Sequence, residues 1–159
     1  MNWDEYFLRF AYLTALKSKD PSTKIGSVIC KDNRIISTGY NGFAIGVHDL
    51  SERYNDRDTK LNYIVHSEEN AVLSAARNGI STLNTTLYTL ALPCHNCCKA
   101  LIQGGIISIV YHKSYPVMDK WKTSQDISMT MIKETGITVT KIDINLNVIA
   151  HYNGIQYNL

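Results

Sequence analysis

From Ser67 onward the sequence switches repeatedly between two kinds of segment, and that alternation limits the fold more than any other feature of the chain. Residues 67–78 consist of good helix formers and stop at Gly79, a residue suited to the C-terminal cap. A β-rich run over 85–92 follows, then a helical stretch over 94–103 closed by Gly104-Gly105. A second β run spans 106–112, a further helix lies near 118–135, and a third β run covers 137–143. Strands that alternate with helices of this length are joined by crossovers, which predicts a sheet covered on both faces.

The first half adds to this pattern. Trp3, Tyr6, Phe7, Phe10, Leu13 and Ala15 recur at near-helical spacing, and this amphipathic helix must end before Asp20-Pro21, where proline disfavours helical geometry in the preceding residue. Two β-rich runs, I-G-S-V-I-C and R-I-I-S-T-G-Y, are joined through K-D-N and read as a hairpin. Residues 42–62 carry glycines and charges of both signs with little periodicity, so a loop of about twenty residues is expected, a length that usually signals function. Residues 144–159 contain no Lys, Arg, Asp or Glu and are expected to form an edge strand or to pack on a neighbouring subunit. With no repeat, low-complexity stretch or flexible linker, the 159 residues are read as one domain, 1–159.

Composition enters mainly to exclude. An apolar share of 45%, a charged share of 19% and only three prolines rule out disordered and fibrous classes. Sixteen basic against fourteen acidic residues, mixed within runs such as Glu52 to Lys60, provide no broad footprint for nucleic acid or an anionic membrane. The acidic start lacks a secretory pattern, and no stretch reaches the ~18 apolar residues of a span, so a cytoplasmic protein is expected. Cys94, Cys97 and Cys98 fall within five residues, poor spacing for disulfides and better suited to metal or chemistry.

Two segments carry that chemistry: V-H-S-E-E-N-A over 65–71 and L-P-C-H-N-C-C over 92–98, both where the chain enters a helix. A Cys-x-x-Cys pair in a helical first turn places two sulfurs on one face, and the positive helix end favours thiolates that bind zinc. His66 could supply a third ligand, and three protein ligands leave a fourth tetrahedral position open, as in catalytic sites. Glu68 can then stand beside the metal without ligating it. Cys94 and Cys98 also share a helical face, so Cys98 competes with Cys97 as ligand, and either His95 or Cys98 could close the site as a purely structural one.

H-x-E followed by P-C-x-x-C is the signature of the zinc-dependent nucleoside and nucleotide deaminases, and the chain resembles that superfamily. The order of D-P-S-T-K-I-G-S-V-I, T-G-Y-N-G, the long loop, H-S-E-E-N-A-V, A-A-R-N-G-I and A-L-P-C-H-N-C-C-K-A-L-I-Q-G-G-I is similar to its deoxycytidylate deaminase branch from residue 20 to residue 115. Two departures stand out: H-S-E replaces the usual H-A-E, and Phe43-Ala44 replace a small-residue and proline turn after G-Y-N-G.

The resemblance implies a three-layer α/β/α fold with a mixed five-stranded sheet, and hydrolytic deamination of dCMP to dUMP, with dCTP as a second candidate substrate. It implies Zn2+ on His66, Cys94 and Cys97, with Cys98 as a packing residue, and Glu68 as the catalytic proton carrier. Substrate contacts are expected from Asn41, Tyr115, Ser67 and a phosphate turn of Ser22, Thr23 and Lys24. Arg77 and Gly42 are expected near a dCTP or dTTP effector in a homo-oligomer, a hexamer by family resemblance. No nucleic-acid or membrane partner is expected. Two other readings remain: a deaminase acting on tRNA adenosine or another base, which would need a basic strip or aromatic platforms, and a non-enzymatic zinc-stabilised binding module.

Overall fold

The computed structural model describes residues 1–113 and 119–159. The amphipathic helix α1 covers Trp3–Ala15, and Asn2 caps it by accepting a 2.8 Å bond from the Glu5 amide. The hairpin β1 (Gly26–Lys31) and β2 (Arg34–Tyr40) turns through Asp32 and Asn33, both with positive φ, as the K-D-N turn predicts.

Residues 42–62, expected to be a loop, instead hold a short strand and two helices. β3 (Gly42–Phe43) is followed by α2 (Ser51–Asn55) and α3 (Arg57–Tyr63). Helices of five and seven residues are too short to show a 3.6-residue period, which is why the pattern hid them. They are held by an Asp56 cap on the Thr59 amide and by Phe43 stacked on Tyr54 with centroids 4.1 Å apart.

The alternating second half forms as expected. β4 (Ile64–Val65) pairs with β3 and leads into α4 (Ser67–Arg77), β5 (Thr85–Thr89), α5 (His95–Gln103) and β6 (Ile106–His112). A 3-10 turn at Asp119–Trp121 precedes α6 (Lys122–Thr135), and β7 (Thr138–Ile142) completes a five-stranded sheet ordered β2-β1-β5-β6-β7. The sheet is mixed: β1 runs antiparallel to both β2 and β5, whereas β5, β6 and β7 are parallel.

Strand alternation sorts side chains onto two faces. Val28, Tyr88 and Val110 join Phe7, Leu8 and Ala11 of α1 in one cluster. Ile29, Leu87 and Ile109 join Ala71, Leu101 and Ile132 of α4, α5 and α6 in the other. Helices therefore cover both faces, the three-layer α/β/α arrangement.

The charge-free tail is not an edge strand of this sheet. It forms its own hairpin, β8 (Ile149–Tyr152) and β9 (Ile155–Asn158), around Asn153-Gly154, both with positive φ. Leu146, Ala150, Tyr152 and Leu159 are buried in the α1 cluster, whereas Ile149 and Ile155 remain exposed.

Candidate metal centre and adjoining cleft

Sheet topology brings distant segments to one edge. Because β1 runs antiparallel to β5, Ser27 pairs with Thr89, so the turn entering β1 lies beside the chain leaving β5 for Cys94. Because β2 runs antiparallel to β1, Gly26 pairs with Tyr40, and Asn41 emerges at the same edge. Binding sites in such sheets lie outside the carboxyl ends of the parallel strands. Helix α4 starts here too, pressed so closely on β2 that a Cβ at Gly39 would stand 2.3 Å from the Ser67 carbonyl oxygen.

His66 and Cys94 occupy the N-cap positions of α4 and α5, and Cys97 lies in the first turn of α5. His66 Nδ1 is 3.5 Å from Cys94 Sγ and 3.5 Å from Cys97 Sγ, and the three ligand atoms lie within 4.8 Å of one another. Zinc bonds of about 2.0–2.1 Å to nitrogen and about 2.3 Å to sulfur, at tetrahedral angles, put N and S about 3.5 Å apart. The side chains therefore fit a zinc ion as they stand. The hydrogen bond from Cys97 and the neighbouring His66 pull the Cys94 thiol down to about 3, while the same bond and burial raise Cys97. The Cys94 bond lifts His66 to about 9 against its burial. A divalent cation needs thiolates and a neutral imidazole, so its binding here would displace the protons that Cys97 and His66 otherwise hold.

Glu68 is 5% exposed and sits beside the triad without being one of its three ligand residues. Burial raises its pKa, opposed by the positive His66 and by a 3.0 Å bond from Ser67 Oγ to Glu68 Oε2. Ser67 is fully buried, and Ser27 Oγ lies 2.8 Å from Ser67 Oγ and 3.0 Å from Thr89 Oγ1. These hydroxyls tie the carboxylate to β1 and β5, so its orientation is set by the sheet.

Triad and carboxylate open into a cleft lined by residues of several elements. Ser22, Thr23, Asn41 and Ser67 line it. Asn41 is buried and clamps the entering turn, accepting from the Ile25 amide and donating to the Thr23 carbonyl, both at 2.8 Å. Lys24 is not among the lining residues; its ammonium turns to the Ser18 carbonyl, because the residue after Thr23 points to the other side of the extended chain. Lys60 of α3 takes that place, 2.6 Å from Ser22 Oγ. Arg77 stands exposed in the last turn of α4, Gly42 pairs with Val65, and neither lines the cleft. Tyr115 lies outside the described residues.

The competing ligands face elsewhere. Cys98 is buried in the second core cluster with Sγ 3.8 Å from the Ser128 carbonyl, and His95 Nδ1 is 2.8 Å from Ser124 Oγ. Among the described residues neither closes the metal site, which removes the basis for a purely structural centre. Sequence reasoning missed Arg57, Lys60, Lys120, Trp121 and Tyr152 in the cleft wall. Arg57 and Lys60 are three apart and so share a helix face, a signal hidden once the segment is read as a loop.

Comparisons with known proteins agree with this geometry. The family model of the cytidine and deoxycytidylate deaminase zinc-binding region matches residues 1–113. A probable deoxycytidylate deaminase of Drosophila melanogaster is 35% identical over 150 residues, spanning 86% of this chain and 70% of that protein. The deoxycytidylate deaminase of Homo sapiens is 30% identical over 149 residues, spanning 89% and 80%. The crystal structure of dCMP deaminase from cyanophage S-TIM5 in complex with dCMP and dUMP superposes with a TM-score of 0.67 at 23% identity, covering 87% of this chain and 95% of that one. From the extent of the family match and the identity to these relatives, the chain is a deaminase belonging to the cytidine and deoxycytidylate deaminase family, whose zinc-binding region spans its His66, Cys94 and Cys97.

Proposed function

We propose that this protein hydrolyses the exocyclic amine of dCMP, releasing ammonia and dUMP, the nucleotide from which thymidylate is made. The observation that carries the reading is the juxtaposition of a zinc-spaced His66, Cys94 and Cys97 with a buried carboxylate, Glu68, at one wall of an open cleft. His66, Cys94 and Cys97 would hold a zinc ion, which when bound would supply Lewis acidity and lower the pKa of water from about 16 to about 7.

Glu68 takes a proton from the attacking water and delivers it to N3 of the cytosine, which makes C4 electrophilic. It then carries the second proton to the departing ammonia. Its raised pKa suits both directions, since a carboxyl closer to neutrality releases a proton as readily as it accepts one. Ser67 holds the carboxylate in place, and the Trp121 ring meets that of His66 edge-on with centroids 6.4 Å apart. Asn41, Ser22 and Thr23 offer polar groups to the sugar and phosphate.

The resemblance alone supports dCTP as a second substrate, effector binding at Arg77 and Gly42, and assembly into a homo-oligomer. No described helix is long and apolar enough to cross a membrane. Ammonia release measured across dCMP, dCTP, cytidine and deoxycytidine tests the reading. The highest kcat/KM is expected on dCMP, and release from none of the four would remove it.

A further inference from the structure

Helix α6 presents hydroxyls to the interior where packing alone would call for apolar side chains. Its buried residues are Ser124, Ser128 and Ile132, spaced by four along one helix face, and the first two are serines. A buried hydroxyl is costly unless it is hydrogen-bonded, so the partners of these serines indicate what they do.

Both reach across to the turn that carries Cys94. Ser128 Oγ, on a fully buried residue, donates to the Pro93 carbonyl and to the Ser124 carbonyl of its own helix, each at 3.0 Å. Ser124 Oγ accepts from the His95 amide at 3.1 Å and lies 2.8 Å from His95 Nδ1. The Pro93 carbonyl belongs to the peptide group before Cys94, and the His95 amide to the one after it. Helix α6 therefore holds both peptide planes that flank the Cα of this candidate ligand.

Fixing two planar peptide groups on either side of one Cα fixes φ and ψ there, −68° and 165° at Cys94, and with them the direction of the Cα–Cβ bond. Only the staggered choices of χ1 remain for the sulfur. Cys94 has the greatest need of such support. Residues 90–94 lie in no helix or strand, whereas Cys97 sits within α5 and His66 stands directly between β4 and α4. Helix α5 does not cap itself either: Cys94 occupies its N-cap position without a side-chain capping bond, and Ser124 accepts the first helical amide from outside. The family match over residues 1–113 does not include α6, so the zinc-binding region alone does not contain this support.

We propose, on the zinc reading of His66, Cys94 and Cys97, that Ser124 and Ser128 are positioning residues for the metal centre. Together they fix the backbone at Cys94 so that its sulfur stays 3.5 Å from His66 Nδ1, and metal retention depends on α6. Metal–ligand distances tolerate only about 0.2 Å, and groups that orient ligands are typically worth about 10- to 100-fold in metal affinity.

The test compares the unmutated protein with Ser124→Ala, Ser128→Ala, Ser124→Thr and Ile132→Val. Zinc affinity is measured by competition with a chromophoric chelator, ligand geometry by the visible d–d absorption of the cobalt(II)-loaded protein, and folding by the Tm of the metal-free protein. Each alanine variant should bind zinc roughly 10-fold more weakly and shift the cobalt bands, and Ser124→Thr, which keeps the hydroxyl, should recover most of that loss. Ile132→Val removes a methyl group one turn further along the same buried stripe. It should lower Tm and leave zinc affinity and the cobalt spectrum unchanged. If one alanine variant does not fold, the other gives the same reading, since both hydroxyls act on the backbone at Cys94. Unchanged zinc affinity in the folded alanine variants would overturn the proposal, as would an equal loss in Ile132→Val, which would make the effect one of general packing. Ammonia release from dCMP keeps the two readings apart. Weakened zinc binding in the alanine variants with no deamination by the unmutated protein leaves α6 as the support of the metal centre and removes the deamination reading. Deamination by the unmutated protein with a zinc affinity indifferent to both serines does the reverse.

Discussion

Gly39→Ala is the substitution that most directly tests how the fold holds the metal centre. The added Cβ would stand 2.3 Å from both the Ser67 carbonyl oxygen and the Ala71 amide nitrogen, where real Cβ contacts essentially never fall below 3.0 Å. Both atoms belong to the backbone of α4, so no side-chain rotation relieves the clash, and strand and helix must separate by at least about 0.7 Å. His66 caps that helix and Glu68 lies in its first turn, whereas Cys94 and Cys97 ride on α5. A shift of that size moves His66 Nδ1 well beyond the roughly 0.2 Å tolerance of a metal–ligand bond. Overpacking of this kind costs about 3 kcal/mol, and in a domain of this size that lowers Tm by about 6–12 °C. Differential scanning calorimetry with and without a chelator, together with zinc content by elemental analysis, measures both effects. Gly42→Ala is the control, because its Cβ would meet only the Tyr40 ring, at 3.5 Å, an ordinary contact. A Gly39→Ala protein with unchanged Tm and one tightly held zinc per chain would refute the idea that this close approach positions the site.

Glu68→Gln should retain zinc yet lose deamination by about 10²–10⁴-fold, because the ligands are intact and only the proton carrier is gone; retained turnover in an ammonia assay would contradict the mechanism. Cys97→Ser should lose zinc and activity together, whereas Cys98→Ser, buried away from the triad, should keep both, and the reverse result would exchange the ligand assignment. Leu146→Ala, at a side chain fully buried beneath the C-terminal hairpin, should cost about 2–5 kcal/mol in urea unfolding, and a loss below about 1 kcal/mol would show that the tail is only loosely docked.

Much of this protein is legible in its residues because the relevant physics is local. The alternation after Ser67 determines the helices and strands, since a period of two or of 3.6 is written directly into the order of apolar side chains. The metal triad is likewise readable: Cys-x-x-Cys at a helix start has one geometry, and His66 and Glu68 are placed by the same kind of boundary. Short elements escaped. The helices over 51–63 are too brief for a period, and the Asn153-Gly154 turn, a strong hairpin signal, was obscured by an apolar tail that also suited an edge strand or a subunit contact.

Tertiary structure alone decided what faces the cleft. Lys24 adjoins Ser22 and Thr23 in sequence, yet the extended backbone turns its ammonium to the Ser18 carbonyl. Lys60, forty residues from Asp20, enters instead, because pairing of β3 with β4 folds α3 back over the turn. Lys120 and Tyr152 reach the same cleft from the 3-10 turn before α6 and from the C-terminal hairpin. The sequence by itself determined the chemistry of the centre, since ligand spacing is a property of single helical turns. The chain's long-range packing decided which charges surround it, because a side chain's direction depends on pairings and close contacts between segments that no local pattern encodes.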